Sequence, residues 1–292
     1  GIRSIAFDSY AGMRTTWPDW AMSMSSDKQS EDWIEENALG ELPTVPENGP
    51  YPEFKLDLDR TLNIRNYKRG GIISVTEEMI KFNKTNLIKQ QAAQLGRSAA
   101  NTREQACYSV INTSGNYVRT SSDNDIGNNT VSTAFSASAL NTALTTMRTM
   151  KDRKSGVYFG VNPDTLIVAP RLEQAAKQLL LSPMLARVGG STTNDVYGGG
   201  GVNPFRGLVN TIIVSPRLGT AYQWVLMEAK RAVVLQEVEG LQILQEAAGR
   251  VEHEGYFLYD HVRYRARDWF GVGFLNDRFA FLSTATGAPV VD

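Results

Sequence analysis

The stretch Gly70–Thr113, GGIISVTEEMIKFNKTNLIKQQAAQLGRSAANTREQACYSVINT, changes its period part-way along and sets the reading of the whole chain. Its opening residues are β-branched and strand-like. Thr76, followed by Glu77 and Glu78, then has the chemistry of a helix start. A hydroxyl can accept from a free N–H there, and two acids stand near the positive end of the helix dipole. Leu87, Ile88, Gln91, Ala92, Leu95, Ala99, Ala106, Val110 and Ile111 follow at helical spacing. The pattern predicts one mildly amphipathic helix from about Asn83 to Asn112, roughly 45 Å long at about 1.5 Å per residue. That is well beyond the mean helix length. Gly96 interrupts it at about 1 kcal/mol relative to alanine, which close packing of another segment would explain. Cys107 lies on the same helix and reads as a small buried hydrophobe.

Upstream, Leu56, Leu58, Leu62 and Ile64 alternate with polar residues, and Gly70-Gly71 marks a turn or bend before Ile72 and Ile73. Period two over this length predicts a long two-stranded projection. The segment before it, ELPTVPENGPYPEF (Glu41–Phe54), holds Pro43, Pro46, Pro50 and Pro52, and its charges are all acidic. Those prolines exclude a helix interior or a central strand, so the segment is an extended excursion. Farther upstream Trp17, Trp20, Trp33 and Ile34 gain by burial. An arm carrying them needs a surface, on its own domain or on a neighbouring chain.

Downstream, Thr113–Thr133 is polar and Gly/Asn-rich, and a second helix is predicted at about Ser136 to Lys151. An α/β pattern follows: strand TLIVAP, helix RLEQAAKQLLLS, a Gly-rich loop, strand LVNTIIVSP and strand AYQWVLME. Pro170 stands where that helix begins, which suits its fixed φ. The last third is strand-rich and aromatic, and YDHVRYRARDWFGVGFLND alternates well enough for long antiparallel strands.

Composition narrows the function. The chain has 292 residues, 42% apolar and 21% charged, which is globular. Thirty Lys and Arg against 31 Asp and Glu leave a net charge of −1. That balance argues against a protein whose main work is gripping nucleic acid electrostatically. No apolar run approaches the roughly 20 residues of a membrane span, and no signal-peptide pattern opens the sequence. A lone Cys107 excludes an internal disulfide, and with only His253 and His261 a structural zinc site is nearly excluded too.

Catalytic signatures are missing from the sequence. No G-x-S-x-G elbow occurs, and both histidines sit among charges in a strand-rich segment, as exposed or ion-paired residues would. The run VYGGGGVNPFRG (Val196–Gly207) lacks the G-K-[ST] of a phosphate loop and the spacing of a dinucleotide loop. DNDIGNN (Asp123–Asn129) resembles the start of a calcium loop. Its glycine falls one position early, however, and Ala134 stands where the closing glutamate belongs, so a polar turn is the better reading. No catalytic residue, cofactor or metal ligand is therefore assigned. Basic residues gather at Arg60, Arg65, Lys68 and Arg69, and at Arg263, Arg265 and Arg267, which on a strand share one face. The acids Glu41, Glu47, Glu53, Asp57 and Asp59 are their expected partners across copies of the chain, with a solvated basic face as the plain alternative.

The order of these pieces resembles the major capsid protein of tailed bacteriophages with the HK97 fold. Gly70–Thr113 is similar to the approach and spine helix of Mu-like major head subunits, carried here by Thr76, Glu78 and Ile80, then Leu95-Gly96 and Ala99-Ala100. NPDTLIVAPRLEQAAKQLLLS matches a strand–proline–helix pattern common in phage capsid proteins, and DHVRYRARDWFGVGFLNDRFAF resembles the family's terminal strands. The resemblance implies an α+β fold with an N-terminal arm (1–40), an extended β-hairpin loop (41–71) and a peripheral domain with the spine helix (72–156). An axial domain (157–248) and further peripheral strands (249–292) complete it. It implies a structural, non-enzymatic subunit that self-assembles as hexamers and pentamers into an icosahedral head around double-stranded DNA, without a membrane. Assembly would take place in the host cytoplasm and the protein would reside in the virion. Portal, scaffolding and decoration proteins are the partners the resemblance brings. Family precursors often lose an N-terminal segment to a protease. Whether Gly1 marks such a cut or the end of a piece of sequence stays open. Two other readings also stay open: a nanocompartment shell of the same fold, and an α/β enzyme.

Overall fold

A computed structural model describes residues 1–35, 41–53, 61–118, 129–152, 155–184, 202–245 and 260–289. In chain order the elements are α1 (Ile2–Ala11), α2 (Trp17–Trp20), β1 (Met22–Ser25), β2 (Ser30–Ile34), β3 (Thr61–Arg65) and β4 (Tyr67–Thr76). Next come α3 (Glu77–Lys81), α4 (Thr85–Ile111), β5 (Thr130–Val131), α5 (Ala137–Arg148), β6 (Thr165–Val168) and α6 (Glu173–Leu181). The chain ends with β7 (Thr211–Val214), β8 (Trp224–Met227), β9 (Val233–Gln245), β10 (His261–Phe274) and β11 (Ala280–Ser283).

The long helix forms where its pattern places it. Thr76 caps α3, its hydroxyl accepting from the Met79 N–H at 3.4 Å. The chain breaks at Asn83, whose φ is +53°, and restarts as the 27-residue α4. Along α4 the buried positions are Ala92, Gly96, Ala100, Arg103, Glu104, Cys107, Tyr108 and Ile111, a single stripe three and four residues apart. At Gly96 the backbone of α1 crosses so closely that a Cβ would lie 2.0 Å from the Ala6 carbonyl oxygen. The interruption in the pattern is the crossing point of two helices.

Two sheets flank this spine. One has the order β1-β9-β10-β4, with β10 antiparallel to β9 and β4 and β1 parallel to β9. The other has the order β5-β11-β8-β6-β7. Every residue of β6, β8 and β11 is buried, as a sheet covered on both faces requires. Helices α5 and α6 bring Leu140, Leu144, Met147, Ala176 and Leu180 to this core, and the C-terminal end of α4 adds Cys107, Tyr108 and Ile111. Trp20 also joins it, edge-on to Tyr108 at 5.3 Å. One end of the spine is therefore rooted in the five-stranded body, and the other lies on the four-stranded sheet.

Leu56 and Leu58 of the alternating run lie outside the described residues; its described part, Thr61–Thr76, does not pair with itself, which corrects the projection expected there. Strand β3 pairs antiparallel with β2, and β4 pairs over ten residues with β10. Gly70-Gly71 is accordingly no turn but part of β4, where a Cβ on Gly70 would meet the Ala266 carbonyl oxygen at 2.6 Å. Alternation reveals that a segment is a strand without revealing its partner. Among the described residues the two-stranded element is β2–β3, whose strands are separated by residues 35–60. β9 lies beside β10, whereas β11, a few residues beyond β10, belongs with β8.

Candidate assembly interface

The four-stranded sheet has two unlike faces. Tyr264, Ala266, Asp268 and Phe270 point toward α4 and are buried. Arg263, Arg265 and Arg267 occupy the opposite face, as the strand period predicts. In register beside them, Arg265 has Ile72 on one side and Leu244 on the other, both exposed, and Arg267 has Gly70 and Gln242.

The structure sorts the expected contact residues by what already holds them. The Arg69 guanidinium donates to the Phe270 carbonyl at 3.0 Å and lies 4.2 Å over its ring. Burial lowers its pKa. Arg267 is fixed by Glu239 at 2.6 Å and Gln242 at 2.7 Å. Arg263 donates to the His261 Nε2 at 2.7 Å, which makes that nitrogen an acceptor. Arg65 sits 5.6 Å over the Tyr67 ring. Lys68 and Arg265 are exposed and have no ion-pair partner among the described residues. Glu41, Glu47 and Glu53 are likewise exposed, in a segment where Leu42 and Tyr51 are 86% and 84% exposed. Asp57, Asp59, Arg60 and His253, the Asp123–Asn128 stretch and the glycine run up to Gly201 lie outside the described residues.

Sequence reasoning missed the buried charges. Arg103 forms a two-pronged pair with Asp268, Nε and Nη2 each 2.7 Å from a carboxylate oxygen, and its Nη1 reaches Glu237 at 2.5 Å. Burial alone would lower the Arg103 pKa. The hydrogen bond to the Asp268 carboxylate, together with the charges of Asp268 and Glu237 and the nearby Tyr10, more than offsets it, so the group is held charged above its ordinary range. Next to it, Glu104 accepts from the Thr16 N–H at 3.0 Å, the Trp17 N–H at 3.1 Å and the Thr16 hydroxyl at 2.6 Å, fixing the start of α2. A signal was present: Arg103 and Glu104 fall on the same stripe as Gly96, Ala100 and Cys107, where polar groups must be paired. A second cluster sets Arg278, 1% exposed, 3.8 Å from both Glu35 and Asp152 and 4.6 Å over the Phe159 ring. Glu35 follows β2, so this cluster ties the two-stranded element to the five-stranded body. Burial also raises the Cys107 thiol well above its ordinary pKa, as befits an unreactive packing residue.

Among the described residues no group of three or more His, Cys, Asp or Glu is placed to hold a metal ion. No helix among them is long and apolar enough to cross a membrane. What the surface offers instead is a set of large exposed apolar groups: Ile34, Leu42, Tyr51, Ile72, Phe82 and Val202. The sequence profile of phage capsid proteins matches residues 59–283. The chain belongs to the phage capsid protein family. Its fold is that of solved capsid subunits at nearly full length. The capsid of cyanophage P-SCSP1u is similar at a TM-score of 0.60 and 14% identity, over 94% of this chain and 89% of that one. The capsid of the native GTA particle gives 0.59 and 12%, over 94% and 92%. The virus-like particle from Pyrococcus furiosus gives 0.55 and 12%, over 97% of both chains. A comparison with the curated proteins finds no match. This phage capsid protein is thus a structural shell subunit of the HK97-like α+β fold.

Proposed function

We propose that copies of this chain close, as hexamers and pentamers, into an icosahedral phage head around double-stranded DNA, with no catalytic step of their own. The observation that carries this reading is the β2–β3 element with its Glu41–Glu53 continuation, which exposes Leu42 and Tyr51 to water. Ordering each residue costs about 1–2 kcal/mol of backbone entropy, and the segment buries little of its own chain in return. Contact with neighbours supplies the missing burial, and closed symmetry repeats it in every copy. Near-neutral net charge limits repulsion between many packed subunits. The site of action is then the virion shell, assembled in the host cytoplasm with portal, scaffolding and decoration proteins as further partners.

Negative-stain electron microscopy of the purified protein, with nucleic acid assayed in the same particles, tests this. Closed icosahedral shells containing DNA in native particles are the expected result. Closed shells that enclose protein and no DNA would assign the chain to a nanocompartment instead, and a monomer that assembles with none of its native partners would overturn the shell reading.

A further inference from the structure

Asn48-Gly49 is the single Asn-Gly pair in the sequence, and it stands in the acidic segment Glu41–Glu53. Pro46 to Gly49 form a tight turn, closed by the Gly49 N–H donating to the Pro46 carbonyl at 2.9 Å. The turn selects both residues of the pair. Asn48 has φ +63°, in the left-handed region that asparagine tolerates better than most residues with a side chain. A Cβ at position 49 would lie 2.8 Å from the Pro46 Cγ and 3.1 Å from its Cδ and carbonyl oxygen, so the turn takes glycine there. Asn48 is exposed, and no hydrogen bond holds its side-chain amide among the described residues. Elsewhere the asparagines are better protected. Asn66, Asn129, Asn203 and Asn276 are buried, and each is followed by a residue bulkier than glycine.

We infer that Asn48 is a site of spontaneous deamidation, through which an unassembled subunit alters its own exposed segment. The Gly49 nitrogen, once it has given its proton to hydroxide, attacks the side-chain carbonyl carbon of Asn48. A new C–N bond closes a succinimide ring, the bond to the side-chain nitrogen breaks, and that nitrogen takes a proton from solvent and leaves as ammonia. One water then opens the ring at either carbonyl. The product is an aspartate on the original main chain, or an isoaspartate whose main chain runs through one more methylene. Nothing is oxidised or reduced, and water is the sole co-reactant. Glycine has no Cβ to shield the attacking nitrogen. The bond to Pro46 that occupies this nitrogen lies in an exposed turn, where local opening costs little. Both products add a negative charge beside Glu47, in a segment with no basic residue. Isoaspartate also lengthens the main chain inside the turn and breaks its closure. On the shell reading above, the segment makes up its missing burial against neighbours, so a modified subunit fits them poorly. The pair therefore limits how long a free subunit stays competent to assemble.

Dissociated subunits of the full chain, aged at neutral and at mildly alkaline pH and mapped by peptide mass spectrometry, test this. The peptide holding residue 48 should gain the mass of an amide-to-acid exchange at least tenfold faster than any other asparagine peptide. Its rate should rise with pH, because only the deprotonated nitrogen attacks, and enzymatic methyl labelling should detect isoaspartate in it. Asn48→Gly suits the same φ, so it should fold with an unchanged melting temperature and show no gain at that position. Particle yield should fall with the modified fraction in aged parent subunits and hold its fresh value in equally aged Asn48→Gly subunits. A peptide at 48 that gains mass no faster than the others would overturn the inference. So would a largely modified parent that still assembles like fresh protein, or an Asn48→Gly variant that loses yield as the parent does. Failure of the fresh chain to form particles would overturn the shell reading, while the mass map still decides the modification.

Discussion

Arg103 carries its charge in a place where an aliphatic side chain would be easier to bury, and three separate elements depend on it. It stands on the spine, pairs with Asp268 on β10 and Glu237 on β9, and lies under the rings of Phe270 and Tyr10. Removing one member of such a pair leaves the other buried and unmatched, which is worse than never having had the pair. Arg103→Met should therefore lower stability by about 3–5 kcal/mol in urea unfolding of the dissociated subunit. The double variant Arg103→Met/Asp268→Leu should recover most of that loss. If the single variant unfolds like the parent, the pair is not what fastens the sheet to the spine. Both residues were visible in the sequence as charges. Their pairing was not, because 165 positions separate them.

At the scale of elements, the spine shows how the same glycine can be a weakness or a requirement. Judged by helix propensity alone, Gly96→Ala should stabilise α4 by about 1 kcal/mol. The structure reverses the sign. The added Cβ would fall 2.0 Å from the Ala6 oxygen and 2.9 Å from its carbonyl carbon, both rigid backbone atoms. Overpacking of this kind typically costs about 1–3 kcal/mol. The expected outcome is a lower melting temperature together with rapid proteolytic cutting within residues 1–20 as α1 lifts from the spine. A rise in melting temperature with α1 still protected would show that the crossing has room to spare. The limits of α4 were legible in the sequence to within two residues, 83–112 against Thr85–Ile111, because a helix is a local pattern and its caps are local chemistry.

For the whole molecule, the balance of buried and exposed surface ties stability to assembly. A subunit that presents Leu42, Tyr51, Ile72, Phe82 and Val202 to water gains when copies cover them. Association that favours the folded state raises apparent stability with concentration. Dissociated subunits should therefore bind an apolar fluorescent dye and melt at a temperature that rises with protein concentration, whereas closed shells should bind little dye and melt higher. Equal dye binding by shells and free subunits would mean that these groups lie outside the contacts between copies.

From the spine onward the sequence by itself determined most of the succession of elements, with the amphipathic helix, the interruption at Gly96, the shared face of Arg263, Arg265 and Arg267 and the want of catalytic motifs; the elements of the arm, α1 to β2, it did not. Each of these rests on neighbours within a few positions, where period, caps and charge act directly. Only the tertiary structure decided which strands meet. β1 lies parallel to β9 across some two hundred positions, β3 takes its partner from the arm, and β4 pairs with β10 rather than with β3. It also decided which basic residues remain available: Arg69 and Arg267 are engaged inside the chain, while Lys68 and Arg265 are exposed. The physical reason is that a strand's period fixes its two faces but leaves its edges open to any strand of compatible register. That choice is made when the core closes, by burial summed over residues far apart in the chain.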